Sequence, residues 1–372
     1  MRARVLKSFS EVSAASWDVL AGEDPFLRHA FLHALESSGS IGPGSGWDIC
    51  ALVLEDEKSL AGACPLFAKS HSLGEYVFDW QVARHFSAQG MAYYPKLVAA
   101  VPFTPVAGSR LLARDGDAWK ALLAALRKEL ARGFSSLNIL FPSEAEARML
   151  AGSGFFLRQD HQFHWQNQGW QDFDEFLKSL SRDKRKKILQ ERKKVRDQGI
   201  SFKTVLGSQA NPGKWDFFYR CYSATYHQHG MRPYLNPAFF RRWAKAMGEA
   251  IVLVFANDKE APLASCLAVR GGKTLFGRYW GAARFVPGLH FETCYYQLIE
   301  YCLQEGIELF EAGAQGEHKL SRGFLPRPTF SAHVMSDPEI HTRLERAFCI
   351  ESTMQAQALE DLDRRSPFRE PF

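Results

Sequence analysis

An order of strands and helices that occurs twice along the 372 residues sets the strongest limit on the fold. In each half two apolar runs flank a charged turn, at residues 55–58 and again at residues 257–260. Such a pattern predicts a β-hairpin. Each half then contains a stretch with apolar residues three and four positions apart, and each stretch ends at a glycine, Gly133 or Gly306. This spacing and ending predict an amphipathic helix. We therefore expect two domains of one architecture.

The predicted elements follow the same order in the two halves. In the first half we expect strands over residues 49–55, 59–69, 97–112, 137–141 and 155–166, with helices over 117–132 and from 144 onward. In the second half we expect strands over 250–256, 262–269, 273–281, 309–312 and 329–335, with helices over 289–304 and 317–323. Helices over 172–198, 213–229 and 236–248 separate the two sets. The prediction is an α/β chain with two tandem domains, residues 1–170 and 171–372, each a mixed twisted sheet flanked by helices.

Composition is that of an ordinary globular protein, with 46% hydrophobic and 23% charged residues. Seven cysteines are scattered without a C-x-x-C pair, so we expect reduced, mostly buried thiols and no zinc site. No window holds 18 consecutive apolar residues, and the first residues lack the apolar core of a signal peptide. These observations predict a cytoplasmic protein without a membrane span. The net charge of +5 permits an anionic partner.

A strongly basic run occupies Arg182–Arg196, where nine of fifteen residues are Lys or Arg. Only Leu180, Ile188 and Val195 form a thin apolar stripe along the predicted helix. Charges at this density fit a helix that contacts the phosphates of an RNA or nucleotide. The alternative is a solvated linker helix between the domains, which is what charge runs usually are.

The richest set of chemical groups lies directly after a predicted strand, in residues 311–324. Sites of α/β proteins tend to lie at the ends of strands. We assign catalytic roles here to Glu311, Glu317, His318 and Lys319, and substrate binding to Gln315, Arg322 and Phe324. A carboxylate or the imidazole would act as general base, and the cations would hold an anionic substrate or stabilise an oxyanion. The alternative is a salt-bridged capping loop.

The turn before the helix of residues 289–304 is a second candidate. A glycine before a helix N-terminus presents free N–H groups to a phosphate. On this basis we assign Arg284, Gly288, Leu289 and His290 to binding of a cofactor such as coenzyme A. The turn has a single glycine and its arginine lies four residues earlier, so an ordinary strand-to-helix turn is the alternative.

Aromatic and polar residues form a third set that fits a substrate pocket. Its members are Tyr226, His227, Arg278, Tyr279 and Trp280 in the second half, and Tyr94 and Lys96 in the first, with the aromatic runs 78–80, 85–86 and 102–105. Core packing is the alternative for the first half. We expect no metal site, because His227 and His229 are two residues apart and do not share a helix face.

The chain resembles the FemAB-like family of the GNAT acyltransferase superfamily, described as peptidoglycan biosynthesis or recognition proteins. The resemblance rests on residues 24–26, 93–96, 102–105, 288–292 and above all 311–319. It implies a duplicated GNAT fold, in agreement with the repeated element order. In Fem transferases an amino acid passes from aminoacyl-tRNA to an amine of a peptidoglycan precursor, and a basic helical region is similar in placement to Arg182–Arg196. A Lys and a Phe of that group position the reacting ends, and Lys319 and Phe324 are the nearest matches in order.

The resemblance and the residues together predict an acyl- or aminoacyl-transferase. No cofactor is certain, and acyl-coenzyme A or aminoacyl-tRNA is the expected donor substrate. The expected acceptor is an amine on a small molecule or peptide, such as a cell-wall precursor. The expected macromolecular partner is tRNA, bound through Arg182–Arg196. Two alternatives remain: a non-catalytic recognition protein for peptides or cell-wall fragments, and a tRNA-binding protein.

Overall fold

The computed structural model describes residues 1–57, 59–259, 261–313 and 316–369. The strands are β1 Arg2–Val5, β2 Trp47–Ile49, β3 Leu52–Glu55, β4 Leu60–Cys64, β5 Leu66–Lys69, β6 Lys96–Ala99, β7 Leu112–Ala113, β8 Ser136–Leu140, β9 Phe156–Gln166, β10 Ile200–Leu206, β11 Ile251–Asp258, β12 Ala261–Gly271, β13 Thr274–Ala282, β14 Leu309–Glu311 and β15 Leu325–Met335. The helices are α1 Ala14–Ala21, α2 His29–Ser37, α3 Trp80–Ala88, α4 Gly116–Leu130, α5 Glu144–Ala151, α6 Phe173–Ser179, α7 Arg182–Arg196, α8 Pro212–Gln228, α9 Pro237–Met247, α10 Leu289–Phe291, α11 Gln297–Gln304 and α12 Pro338–Asp363. None of these described helices combines the length and the apolar character needed to cross a membrane.

The chain divides into two compact units. Unit 1 contains Met1–Asp160 and Pro328–Gln357, and unit 2 contains His161–Arg327 and Ala358–Phe372. This division differs from the predicted boundary after residue 170, because most of β15 and α12 return to unit 1 late in the chain. The pairing of β15 with β8 accounts for the return, since Ser331–Met335 forms an antiparallel ladder with β8.

Unit 1 has a small antiparallel sheet in the order β1-β3-β4-β7 and a second set of strands in the order β15-β8-β6-β5-β2. The predicted helix over 117–132 is α4, which begins after Asp115, whose side chain accepts from Ala118 N, and which buries Leu122 and Leu126 completely. Burial of a leucine side chain stabilises the fold by about 2 kcal/mol. The predicted strand over 97–112 is wrong, because β6 ends at Ala99 and prolines follow, which cannot donate to a ladder.

Unit 2 has the strand order β10-β11-β12-β13-β14-β9. Neighbouring strands from β10 to β13 are antiparallel, β13 and β14 are parallel, and β14 and β9 are antiparallel. The core contains buried side chains from β11 and α11, among them Val252, Val254 and Ile299. Helix α8 packs so closely on β13 that a Cβ at Gly281 would lie 2.0 Å from the carbonyl oxygen of Cys221. Only glycine fits there.

The helix predicted over 289–304 exists, but it is not regular. A π-helical turn at Glu292–Tyr296 lies between α10 and α11. Such turns occur mostly as single insertions, frequently at functional sites, and they rotate the side chains before them relative to those after them. In unit 2 this turn presents Cys294 and Tyr295 next to the segment that follows β14.

Candidate functional site

The sheet of unit 2 opens where β13 and β14 part. The two strands pair over Thr274–Phe276 and Leu309–Glu311, and beyond this point β13 continues to Ala282. The chain after Glu311 instead leads to a 3₁₀ helix, Glu317–Arg322. We call the place where this ladder ends, beside Phe276 and Glu311, the opening.

A β-bulge marks the β13 side of this opening. Leu267 pairs with Tyr279 and Ala268 pairs with Gly277, so Arg278 is the extra residue outside the regular ladder. Bulges redirect side chains and often lie next to active sites. A Cβ at Gly277 would lie 3.1 Å from the Phe310 ring, so the backbone of β13 approaches β14 closely here.

Lys319 lies beside the opening, in contact with the segment that follows Glu311. Its side chain is on the 3₁₀ helix, is 3% exposed, and donates a 2.8 Å hydrogen bond from Nζ to the carbonyl oxygen of Gly313. Burial lowers the pKa of Lys319 to about 8, and the thiol of Cys294 opposes this shift. A buried ammonium with a depressed pKa is available both as a cation and as a proton donor near neutral pH.

Glu311 and His164 are cross-strand neighbours at the end of β14, on the side of this strand away from β13. They are paired residues of β14 and β9, and Nε2 of His164 lies 4.0 Å from Oε2 of Glu311. Burial, together with the nearby cations Arg327 and Lys319, lowers the pKa of His164 to about 4. His164 is therefore a neutral imidazole at pH 7. The carboxylate of Glu311 is buried at the last residue of its strand.

His318 packs into an aromatic wall on the helix side, formed by Phe291 and Tyr295. Its Nε2 is 3.1 Å from the hydroxyl of Tyr295, and its ring centroid is 5.3 Å from that of Phe291. Burial lowers the pKa of His318, as do Arg322, Lys319 and, with smaller weight, Lys187 on α7. Gly316 makes this packing possible, because a Cβ there would lie 2.3 Å from the imidazole of His318.

Arg322 and Phe324 support the aromatic wall from the protein interior. The guanidinium of Arg322 donates to Oε1 of Glu191 at 2.6 Å and to the carbonyl oxygen of His318 at 2.6 Å, and it lies 3.5 Å from the centroid of the Phe291 ring. Phe324 is fully buried, 5.3 Å from the ring of Tyr295. The structure therefore uses both residues as supports, whereas the sequence suggested contact with substrate.

The other two residues assigned in this segment are Glu317 and Gln315. Glu317 is exposed and pairs with Arg365 at 3.3 Å. Its predicted catalytic role stays a prediction. Gln315 lies outside the described residues.

Helix α7 has one face directed at the site and one directed at solvent. Glu191 binds Arg322, and Arg192 binds Glu292 at 3.0 Å and Glu300 at 2.7 Å. The exposed basic residues of α7 are Arg182, Lys186, Lys187, Lys193, Lys194 and Arg196. The basic run is therefore a packed helix beside the candidate site, with six of its nine cations exposed.

The turn expected to bind a cofactor is largely occupied by internal contacts. Arg284 pairs with Asp258 at 2.6 Å on the surface. Gly288 adopts a φ of +83°, and a Cβ there would lie 3.4 Å from Val195 of α7. Leu289 is buried in an apolar cluster, and the His290 ring packs against Trp280 at 5.3 Å. The turn packs against α7 and does not form a glycine-rich loop.

The pocket residues predicted in the second half lie on α8 and β13. Trp280 contacts the ring of His290, and this ring in turn lies 5.3 Å from the ring of Tyr295. Tyr279 and Tyr226 pack instead on Tyr222, within an aromatic cluster over α8. The guanidinium of Arg278 lies 5.4 Å from the Tyr279 ring, and His227 is exposed at the end of α8.

The pocket residues predicted in the first half belong to unit 1. Lys96 is buried and binds Glu75 at 2.8 Å and also Asp79, while the hydroxyl of Tyr94 is 2.8 Å from that of Ser72. Burial works against the charged form of Lys96, but the two carboxylates outweigh it and raise its pKa. Lys96 is thus the centre of a buried ionic cluster. The sequence suggested a substrate contact for Lys96, and the structure places its ammonium inside this cluster.

The sequence does not single out His164, Tyr295 or Cys294 as site residues. His164 lies next to Glu311 because β9 pairs with β14, although the two strands are far apart in the chain. Tyr295 and Cys294 belong to the site because they lie on the π-helical turn. All seven cysteines are free thiols, as predicted. Within the described ranges no group of three His, Cys, Asp or Glu side chains is placed to hold a metal ion.

Comparison with known proteins gives one family and a shared fold. The model of the FemAB-like family, described as peptidoglycan biosynthesis/recognition, matches residues 8–370. Among solved structures, the C-terminal domain of a putative lysylphosphatidylglycerol synthetase from Agrobacterium fabrum is similar with a TM-score of 0.58 and 12% identity, covering 95% of this chain and 97% of that one. FemX is similar with a TM-score of 0.57 and 10% identity, covering 93% and 100%. L-PGS from Bacillus licheniformis is similar with a TM-score of 0.53 and 9% identity, covering 85% and 95%. No curated protein matches the sequence significantly.

Proposed function

The chain belongs to the FemAB-like family, and on that basis we propose how it acts as an acyl- or aminoacyl-transferase on an amine acceptor. The observation that carries the proposal is Lys319, a buried amine on the carbonyl of Gly313 at the point where β13 and β14 part. The tandem GNAT-like fold is shared with FemX. The roles of the individual residues below are our assignments.

We place the reacting carbonyl of the donor in the opening between β13 and the segment after Glu311. Lys319 then lies beside the oxygen that becomes negative when the amine attacks. A cation or hydrogen-bond donor held in that position lowers the barrier by about 3 kcal/mol. The bulge at Arg278 lies on β13, two residues beyond the last residue paired with β14.

We assign proton removal from the acceptor amine to Glu311. Its carboxylate is buried at the last residue of β14, two residues before Gly313, whose carbonyl oxygen accepts from Lys319. The amine nitrogen forms the new C–N bond, and its proton passes to the carboxylate of Glu311. The C–O or C–S bond of the donor breaks, and the ammonium of Lys319 gives its proton to the leaving oxygen or sulfur. His164 stays neutral and adds no competing charge beside Glu311.

We propose an aminoacyl ester of RNA as the donor in preference to coenzyme A. The outward cations of α7 flank the site, and Lys187 is near enough to lower the pKa of His318. A phosphate chain is attracted by such a face. The turn at Gly288 supports coenzyme A less, because it is in contact with Val195 and its arginine is paired with Asp258.

The donor is tested by a transfer assay with labelled donors. Bulk tRNA charged with mixed labelled amino acids and labelled acyl-coenzyme A are each incubated with the protein and a muramyl-peptide precursor. We expect label in the peptide only from aminoacyl-tRNA. Transfer from acyl-coenzyme A alone would overturn the choice of donor, and transfer from neither would overturn the proposed function.

The role of α7 is tested by tRNA affinity between 50 and 200 mM salt. We expect the variant K186Q/K187Q to bind tRNA more weakly, with a salt slope smaller by about one for each phosphate that the variant no longer neutralises. The matched control is K120Q/K128Q on α4, which should bind as the wild type does. Equal weakening in both variants would mean that net charge, and not α7, determines binding.

A further inference from the structure

Unit 1 contains a cavity of about 430 Å³ that has no part in the proposed transferase site of unit 2. Residues 76–78, residues 158–160 of β9 and residues 329–331 of β15 line it, together with Phe141 and with Glu351 of α12. A volume of this size lies in the range of binding sites for small molecules. We call it the unit 1 cavity.

Polar side chains of two neighbouring strands belong to its lining. Arg158 and Asp160 are two residues apart on β9, and Thr329 and Ser331 are two residues apart on β15, which lies beside β9 in the sheet. Side chains two positions apart on a strand point to the same face. Thr329 and Ser331 are 4% and 3% exposed, so their hydroxyls are fixed parts of the interior and not surface groups.

A chain of hydrogen bonds orients the hydroxyl of Ser331. The amide nitrogen of Asn138 donates to the carbonyl oxygen of Leu97 at 3.1 Å, so the amide oxygen is the atom that lies 2.7 Å from Nδ1 of His333. Burial lowers the pKa of His333 to about 3, so the ring is neutral at pH 7 and its one proton is on Nδ1. Nε2 then accepts, and the hydroxyl of Ser331 donates to it at 2.8 Å. The lone pairs of Ser331 Oγ remain as hydrogen-bond acceptors for a ligand.

The charges in the lining favour a cation. Asp160 and Glu351 are carboxylates, and Arg158 is the cation among the described lining residues. The guanidinium of Arg158 donates to Oε1 of Glu351 at 2.8 Å and to the carbonyl oxygen of Phe78 at 2.9 Å, so its charge is matched within the wall. The lining therefore has one carboxylate more than it has cations. The buried ionic cluster beside residues 76–78 adds no net charge, because it holds two cations and two carboxylates: Lys69, Lys96, Glu75 and Asp79.

Four aromatic residues also line the cavity: Tyr76, Phe78, Phe141 and Phe330. The face of an aromatic ring attracts a cation, and the ring also packs against a carbon chain. A hydroxyl that accepts, an excess carboxylate and aromatic rings together suit a ligand that is cationic, donates hydrogen bonds and has an apolar chain.

We propose that the unit 1 cavity binds the ammonium group of a primary alkylamine. The ammonium donates to Oγ of Ser331 and to the carboxylate of Asp160, and its carbon chain lies against the aromatic residues. A primary ammonium has three donors and no acceptor, which suits a wall where the proton of Ser331 is already given to His333. The site belongs to unit 1 alone and is independent of the group that the transferase moves.

The test is isothermal titration calorimetry of the full chain at pH 7 with n-pentylamine, 1-pentanol and pentanoate, which have similar carbon chains and differ in charge. We expect pentylamine to bind at least about tenfold more tightly than the other two. D160N should weaken the binding of pentylamine at least about fivefold, because it removes the charge and keeps the size of the side chain. The matched control D117N removes an exposed carboxylate on α4 and should bind as the wild type does.

Wild-type protein that binds 1-pentanol or pentanoate as tightly as pentylamine, or that binds none of these ligands, overturns the proposal. D160N with the affinity of the wild type also overturns it, as does D117N weakened as much as D160N, since net charge would then explain the binding. Asp160 is exposed, so D160N should unfold at the wild-type temperature. The comparison of the three ligands on the wild type decides the question even where a variant does not fold.

Discussion

Among single residues, two buried lysines show how surroundings separate a structural role from a functional one. Lys96 lies among Glu75 and Asp79, and these carboxylates raise its pKa in spite of burial. Lys319 has a carbonyl oxygen as its hydrogen-bond acceptor, and burial lowers its pKa to about 8. A charge that is costly to bury and not neutralised by a carboxylate is what a catalytic group requires.

The pH dependence of transfer follows from the lowered pKa of Lys319. The protonated amine is the active form in our assignment, and it is lost as pH rises through about 8. We therefore expect kcat/KM to fall on the alkaline side with a midpoint near that pH. K319R keeps its charge at higher pH, so its residual activity should lack this fall. If kcat/KM of K319R falls at the same alkaline pH as that of the wild type, the fall arises from the titration of another group.

The stability of a Lys319 variant should move in the opposite direction to its activity. Among the described residues no carboxylate pairs with Lys319, and a buried ammonium of this kind opposes folding. K319M should therefore unfold at the same or a higher temperature than the wild type at pH 7. Differential scanning calorimetry measures this. Clear destabilisation of K319M would indicate a structural role.

Among the elements, the basic helix α7 combines two roles that its sequence alone does not separate. Its spacing correctly predicts a helix with Ile188 and Val195 inward. The sequence does not reveal that Glu191 and Arg192 also face inward, because their partners Arg322 and Glu292 are a hundred or more residues away. Long-range pairing, and not local propensity, decides which charges of such a helix remain exposed.

Removal of Arg192 should destabilise unit 2. R192M leaves the buried carboxylate of Glu292 without its guanidinium, which costs about 3 kcal/mol. The control K193M breaks an exposed pair with Asp197 and should cost less than about 0.5 kcal/mol. Urea unfolding compares the two variants. Equal stabilities would mean that the Arg192 pair contributes nothing net to folding.

Most elements of the repeated order follow from the sequence, and the exceptions have physical reasons. The helix at α4 and the hairpin β11–β12 show clear periodicity and turn signals. The helix after Gly288 is correctly predicted, yet its π-helical turn has no signal in a pattern of apolar spacing. The pattern does not reveal β10 or α12, because β10 alternates weakly and α12 is polar on much of its surface.

In the whole molecule, each unit is built from two separate stretches of chain, and local patterns do not show this. The element order predicts the tandem fold but places everything after residue 170 in the second domain, whereas Pro328–Gln357 belongs to unit 1. In the candidate site, the segment after Glu311 is predictable because its polar residues follow a strand. His164 is not, because the pairing of β9 with β14 is a long-range contact.

The C-terminal stretch should stabilise unit 2 in spite of its distance along the chain. Phe368 is buried against Trp170 at 5.8 Å, and the backbone of Arg369 donates to Ser179. F368A should cost about 3 kcal/mol, while the exposed F285A should cost less than about 0.5 kcal/mol. Hydrogen exchange at residues 161–327 measures the effect, and unchanged protection in F368A would contradict it.

Lys319 at the opening of unit 2 is the residue on which the proposed transfer depends, and the rate of label transfer by K319M is the decisive measurement. We expect a rate at least about 100-fold below that of the wild type, with thermal unfolding unchanged or raised. E317Q, which alters the exposed neighbour paired with Arg365, should stay within about threefold of the wild type. A folded K319M that transfers label at the wild-type rate would show that Lys319 has no part in the reaction.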